Sequence, residues 1–188
     1  MGADRLIYIR TDGNSKIAAG HLVRCLSIAQ NCLKIGMSVC FLLSDEESRN
    51  LLDGFMTEDL KQNPNLSVQI LKTAKYDDPE KELPEVLALL AAEGTTALSP
   101  AACPPSLCPS KDFPHKRNIF LLDSYFVTEK YLTEIGSVAK IAYLDDLQLF
   151  DYPVDLIINY DVIPDAVMPS YEAAYSKAGK ALLGAAYT

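Results

Sequence analysis

Short apolar runs and amphipathic stretches alternate along most of this chain, and few folds accept that order. Leu6-Ile7-Tyr8-Ile9, Val39-Cys40-Phe41-Leu42-Leu43 and Val68-Gln69-Ile70-Leu71 read as strands, as do Ile119-Phe120-Leu121-Leu122, Ile141-Ala142-Tyr143-Leu144, Leu156-Ile157-Ile158 and Ala181-Leu182-Leu183. Such nearly continuous apolar runs fit strands covered on both faces. Between the first two, Leu22, Cys25, Leu26, Ala29, Cys32 and Leu33 recur at helical spacing from Gly20 onward. Gly36 stands where a left-handed C-terminal cap belongs. Ser44-Asp45-Glu46-Glu47 supplies a cap and an acidic first turn for a helix reaching about Phe55. Further helices are expected from Pro79 to Ala92 and from Thr128 to Ser137. Strand and helix in alternation predict an α/β fold, an open parallel sheet with helices on both faces.

One stretch breaks the rhythm. Residues 94–117 hold five of the eleven prolines among Ser, Thr and Ala. A loop this long is either functional or mobile in a compact domain; it reads as a mobile surface insertion, with a lid over the site as the alternative. The chain has 188 residues, the size of a single domain. With 49% hydrophobic and 22% charged residues it has the composition of a globular protein with a real core. The net charge is −8, and no cluster of Lys and Arg offers the counterion release that nucleic-acid binding needs. Nucleic acid and anionic membranes are therefore not expected as partners. No apolar run approaches the ~20 residues of a membrane-spanning helix, and Met1 to Arg5 lead straight into the first strand without a signal-peptide core. Together with five cysteines, an odd number, this predicts a cytoplasmic protein with reduced thiols. Cys103 and Cys108 have no second pair to complete a zinc site.

In open parallel sheets ligands bind outside the carboxyl ends of the strands, so the residues after each strand are the candidates. Arg10, Asp12, Gly20 and His21 follow the first strand, and Asp123 and Tyr125 the fourth. Asp145 and Asp146 follow the fifth, and Asn159 and Tyr160 the sixth. His21 carries the most information. At a helix N-terminus the positive end of the dipole disfavours imidazolium, and a neutral ring in a cleft suits a general base acting on water. A ring that caps the helix or bonds a loop carbonyl is the other reading. Asp145-Asp146 with Asp12 and Asp123 invites an oxygen-rich Mg²⁺ site. The favoured reading is structural: one aspartate caps its turn and the other bonds the loop after the first strand. Asp123 can equally be a loop-fixing acceptor. His115 is expected to be exposed and incidental. Gly13, Gly20 and Gly36 form no dinucleotide fingerprint, and neither a phosphate-binding P-loop nor a nucleophile elbow is present.

Residues 9–29 resemble the PseG/SpsG family, the UDP-sugar hydrolases of pseudaminic acid biosynthesis and the related spore-coat polysaccharide biosynthesis proteins. Arg10-Thr11-Asp12 matches R-x-D, and Ile17-Ala18-Ala19-Gly20-His21-Leu22-Val23-Arg24 is similar to I-G-x-G-H-x-x-R. Asp123-Ser124-Tyr125, Asp145-Asp146, Leu156 to Asn159 and Gly184 to Tyr187 follow in the family's order. The resemblance implies a Rossmann-like N-terminal domain of a two-domain GT-B protein. It implies a nucleotide-sugar hydrolase in which His21 activates water at the anomeric carbon, releasing UDP with no metal and no cofactor. Arg10, Asp12, Gly20, Arg24, Asp123, Tyr125, Asp145, Asp146 and Asn159 are then substrate-binding candidates. The nucleotide would be held mainly by a C-terminal domain or partner chain, so the 188 residues alone are expected to be inactive. A GT-B glycosyltransferase and a non-catalytic module that works only with a partner chain remain the alternatives. Ala18 departs from the family's glycine, and its Cβ would block a close backbone approach there.

Overall fold

The computed structural model describes residues 6–96 and 118–184. Cys103, Cys108, His115, Tyr187 and residues 97–117 of the Pro-rich stretch lie outside them. Seven parallel strands form one sheet: β1 (Leu6–Thr11), β2 (Ser38–Leu43), β3 (Leu66–Ile70), β4 (Ile119–Asp123), β5 (Lys140–Leu144), β6 (Leu156–Asn159) and β7 (Ala181–Leu183). Their order is β3-β2-β1-β4-β5-β6-β7, the doubly wound Rossmann-like arrangement. Six helices join them: α1 (Gly20–Lys34), α2 (Glu46–Phe55), α3 (Glu58–Lys61), α4 (Leu83–Thr96), α5 (Glu129–Val138) and α6 (Met168–Ala174). Among the described residues none is long and apolar enough to cross a membrane, and Cys25, Cys32 and Cys40 form no disulfide.

Strand side chains alternate faces, so each central strand feeds two cores. Ile7, Ile9, Val39, Phe41, Leu43 and Leu121 face α1 and α2, meeting Leu22, Cys25, Leu26, Ala29 and Leu52. Tyr8, Cys40, Leu42, Phe120 and Leu122 face α4 and α5, meeting Val86, Leu90, Tyr131, Leu132 and Ile135. Leu22, Cys25, Leu26 and Ala29 are the apolar positions that set the helical period of α1, which is why α1 forms and which face it buries. It ends in a Schellman turn: Gly36 N–H donates to Leu33 O at 3.0 Å and Met37 N–H to Cys32 O at 3.0 Å. Gly36 takes φ +81°, where a side chain would be strained. Asp45 caps α2 by accepting from Ser48 N–H at 2.7 Å. Those hydrogen bonds outweigh its partial burial and lower its pKa.

The sequence reading needs three adjustments. The helix expected from Pro79 to Ala92 is a 3₁₀ turn at Pro79–Lys81 followed by α4, which runs on to Thr96. Gly94 to Thr96 are thus helical and not part of the insertion. The single turn α3 and the seven-residue α6 were not expected; neither is long enough to display a helical period.

Candidate functional site

The chain winds outward from β1 to β3 and returns through α4 to β4 on the other side of β1. The connections leaving β1 and β4 therefore turn to opposite faces and open a crevice at the carboxyl ends of these two strands. A narrow cleft lies there, lined by Asp12, Ile17, His21, Tyr76, Asp123, Ser124, Tyr125 and Phe126.

The β1–α1 loop is built to deliver His21. Asn14 Oδ1 accepts from Lys16 N–H at 2.9 Å and Ile17 N–H at 3.2 Å, and Ala18 N–H donates back to Asn14 O at 2.9 Å. The reversal puts Ala18 in the left-handed region at φ 59°. A glycine would adopt that backbone without the strain that the Ala18 Cβ brings. Gly13 is pressed against α1, since a Cβ there would lie 2.4 Å from Leu22 Cδ1. Above Gly20 the space is open, with no atom within 4 Å of a Cβ built on it. Helix α1 has no side-chain cap at Ala19 and no acidic residue in its first turn.

His21 is 5% exposed, and its Nδ1 lies 2.6 Å from Asp123 Oδ1 at the end of β4. Asp123 can only accept, so the tautomer that bonds it carries its hydrogen on Nδ1 and leaves Nε2 unprotonated, while Arg24 Nη2, which can only donate, also lies 2.8 Å from Nδ1. The Tyr125 ring meets the imidazole edge to face, with centroids 4.5 Å apart. Asp123 also accepts from Arg24 Nε and from Arg24 Nη2 at 2.5 Å, and Cys25 Sγ lies 3.5 Å from its Oδ2. Burial alone would raise the Asp123 pKa; the hydrogen bonds from Arg24 and His21 outweigh it and hold the group below the ordinary carboxylate value. Arg24 Nη1 donates to Tyr160 Oη, and Tyr160 donates to Asp146 Oδ2 at 2.8 Å. Tyr125 Oη donates to the same Asp146 oxygen at 3.2 Å.

Asp12, His21, Asp123 and Tyr125 thus meet at one cleft, with Gly20 beside it and Arg24 and Asp146 braced behind. Arg10, Asp145 and Asn159 are not brought to it. Arg10 is buried and donates to Glu82 through Nε at 2.7 Å and Nη2 at 2.8 Å, and to Asp12 through Nη1 at 2.5 Å. Asp145 caps its own turn, accepting from Leu147 N–H, Gln148 N–H, Tyr152 Oη and Tyr175 Oη. Asn159 is fully buried; its amide donates to Tyr175 Oη and its carbonyl accepts from Asp161 N–H. These three side chains spend their hydrogen bonds within the domain and do not line the cleft. Asp146 does not bond the loop after β1, its Oδ2 accepting from Tyr125 and Tyr160; Asp12, in that loop, accepts from Ser44 N–H after β2 at 2.6 Å.

The four carboxylates do not converge, and among the described residues no group of three or more His, Cys, Asp or Glu is placed to hold a metal. Sequence reasoning missed Tyr76, Phe126 and Glu82. Tyr76 follows β3, so the rule applied to the other strand ends would have found it. Phe126 and Tyr76 pack edge to face at 5.7 Å and form one wall of the cleft. Glu82 had no signal, because only the tertiary fold sets it against Arg10. No protein-family model, curated protein or solved structure matches this chain.

Proposed function

We propose that the chain is the N-terminal, base-bearing half of a GT-B nucleotide-sugar hydrolase that works in the cytoplasm on UDP-sugars for surface or spore-coat polysaccharide. The observation that carries this reading is the buried Asp123–His21 pair, 2.6 Å apart, in the lining of the cleft. In the reaction Nε2 takes a proton from water as the water oxygen bonds to the anomeric carbon. The bond from that carbon to the diphosphate breaks and its electron pair leaves with UDP. Asp123 keeps the ring in the productive tautomer and stabilises the imidazolium that forms. Asp12, Ser124 and Tyr125 offer polar groups to the sugar, and Tyr76 and Phe126 an apolar wall. A second domain or partner chain holds the nucleotide.

The test is UDP release by the chain assembled with that second half. Replacing His21 with Ala is expected to lower turnover about 100-fold or more; unchanged release refutes the base assignment. Release at full rate without an added acceptor separates hydrolysis from glycosyl transfer.

A further inference from the structure

Arg24 is a substrate-binding candidate by resemblance, yet each nitrogen of its head already has a partner. Nε and Nη2 donate to Asp123, Nη1 donates to Tyr160 Oη, and the guanidinium carbon lies 4.9 Å from the Tyr160 ring centroid. Nη1 is also 3.9 Å from Asp146 Oδ2, the oxygen to which Tyr160 donates. Asp123 is equally occupied: His21 Nδ1 and Arg24 Nη2 meet Oδ1, while Arg24 Nε and Cys25 Sγ meet Oδ2. One buried carboxylate charge is therefore shared between a ring that can lose its proton and a guanidinium that cannot.

We propose that Arg24 is a positioning residue that acts on His21 through Asp123, holding the carboxylate in place and weakening its pull on the imidazolium proton. The inference rests on His21 as the base. An opposite charge within about 4–6 Å of a titrating group moves its midpoint by about 1–3 pH units, and an unshared Asp123 would hold the proton on His21 after turnover. Arg24 opposes this twice, by neutralising Asp123 and by placing Nη2 2.8 Å from Nδ1. The other groups facing the ring do not replace it. Tyr125, from the β4 loop, and Cys25, on α1, are uncharged near pH 7. Asp12, from the β1 loop, is paired with Arg10, and Tyr76, from the segment after β3, stands on the cleft wall. Asp146 and Tyr160 act behind Arg24. Among the described residues Arg24 is the only cation in contact with the ring.

The test is a proton NMR titration of the His21 ring in the whole 188-residue chain, with His115→Gln to remove the second histidine's signal. Arg24→Leu is expected to raise the midpoint by about one pH unit or more. Arg24→Lys, which keeps the charge and loses the fork, recovers part of that displacement. In the assembled enzyme the acid limb of kcat/KM moves by the same amount. A folded Arg24→Leu chain with an unmoved midpoint overturns the proposal. So does a roughly tenfold rise in KM with midpoint and acid limb unmoved, which makes Arg24 a substrate contact. If Arg24→Leu does not fold, Arg24→Lys and Tyr160→Phe decide: an upward step in both supports the proposal, and no movement in either overturns it. Because the titration needs no substrate, it stands or falls apart from the hydrolase reading, which His21→Ala tests.

Discussion

Replacing Glu82 with Ala should destabilise the protein more than a change at any exposed position. Glu82 has no solvent exposure and accepts three hydrogen bonds: from Arg10 Nε at 2.7 Å, Arg10 Nη2 at 2.8 Å and Tyr131 Oη at 2.8 Å. Its two oxygens face the guanidinium fork, the strong bidentate arrangement of this pair. Arg10 is 4% exposed, so water cannot take over when the carboxylate goes. It keeps Asp12 and the Thr11 carbonyl through Nη1, but Nε and Nη2 lose their partner. Breaking a buried ion pair by removing one member costs about 3–5 kcal/mol, a large share of the roughly 5–15 kcal/mol that holds a domain folded. Glu82→Gln keeps the volume and one acceptor while turning an amide donor toward the guanidinium; it should cost about 1.5–3 kcal/mol. With a urea slope of roughly 2 kcal/mol/M, these figures put the midpoint about 1.5–2.5 M lower for Ala and about 1 M lower for Gln. Equilibrium urea unfolding followed by circular dichroism reads both. A loss below about 0.5 M for Ala would mean that Arg10 is held by Asp12 alone and would refute the reasoning.

Ala18→Gly should stabilise the protein by up to about 1.5 kcal/mol. The left-handed backbone costs an L-residue roughly 1–2 kcal/mol, against about 0.4–1 kcal/mol of added unfolded-state freedom for glycine; a lower urea midpoint in the variant counts against it. The pH dependence of stability follows from Asp123, whose folded pKa lies below its ordinary value of 3.8. A depressed carboxylate contributes stability above its unfolded pKa and loses it as pH falls through the folded one. Urea midpoints should therefore drop as pH falls below about 4, less steeply in Asp123→Asn; parallel curves would reject Asp123 as a source of that drop. Under the proposed hydrolase reading, Asp123→Asn should also lower turnover about 100-fold or more, since an amide no longer favours the Nδ1–H tautomer; wild-type turnover would show that the tautomer is set elsewhere.

The apolar runs, the helical spacing of α1, a cap within Ser44-Asp45-Glu46-Glu47 and the left-handed turn at Gly36 were legible in the sequence. Each depends on neighbours a few residues away: pleat, helical turn and left-handed backbone are local physics. From them the parallel sheet followed, and with it the rule that ligands meet its carboxyl edge, which selected Asp12, His21, Asp123 and Tyr125 for the cleft. The division of labour among the polar residues was not legible. Arg10 and Glu82 are 72 positions apart, and Arg24 and Asp123 are 99 apart. Whether a carboxylate after a strand faces the crevice, braces a base or caps its own turn depends on which strand lies beside it. Asp123 faces His21 because β4 pairs with β1 in the register Thr11 opposite Asp123. Asp145 turns away because Tyr152 and Tyr175 close over it from later in the chain. Strand order and register are set by the summed packing of two cores, and that sum exists only in the tertiary structure.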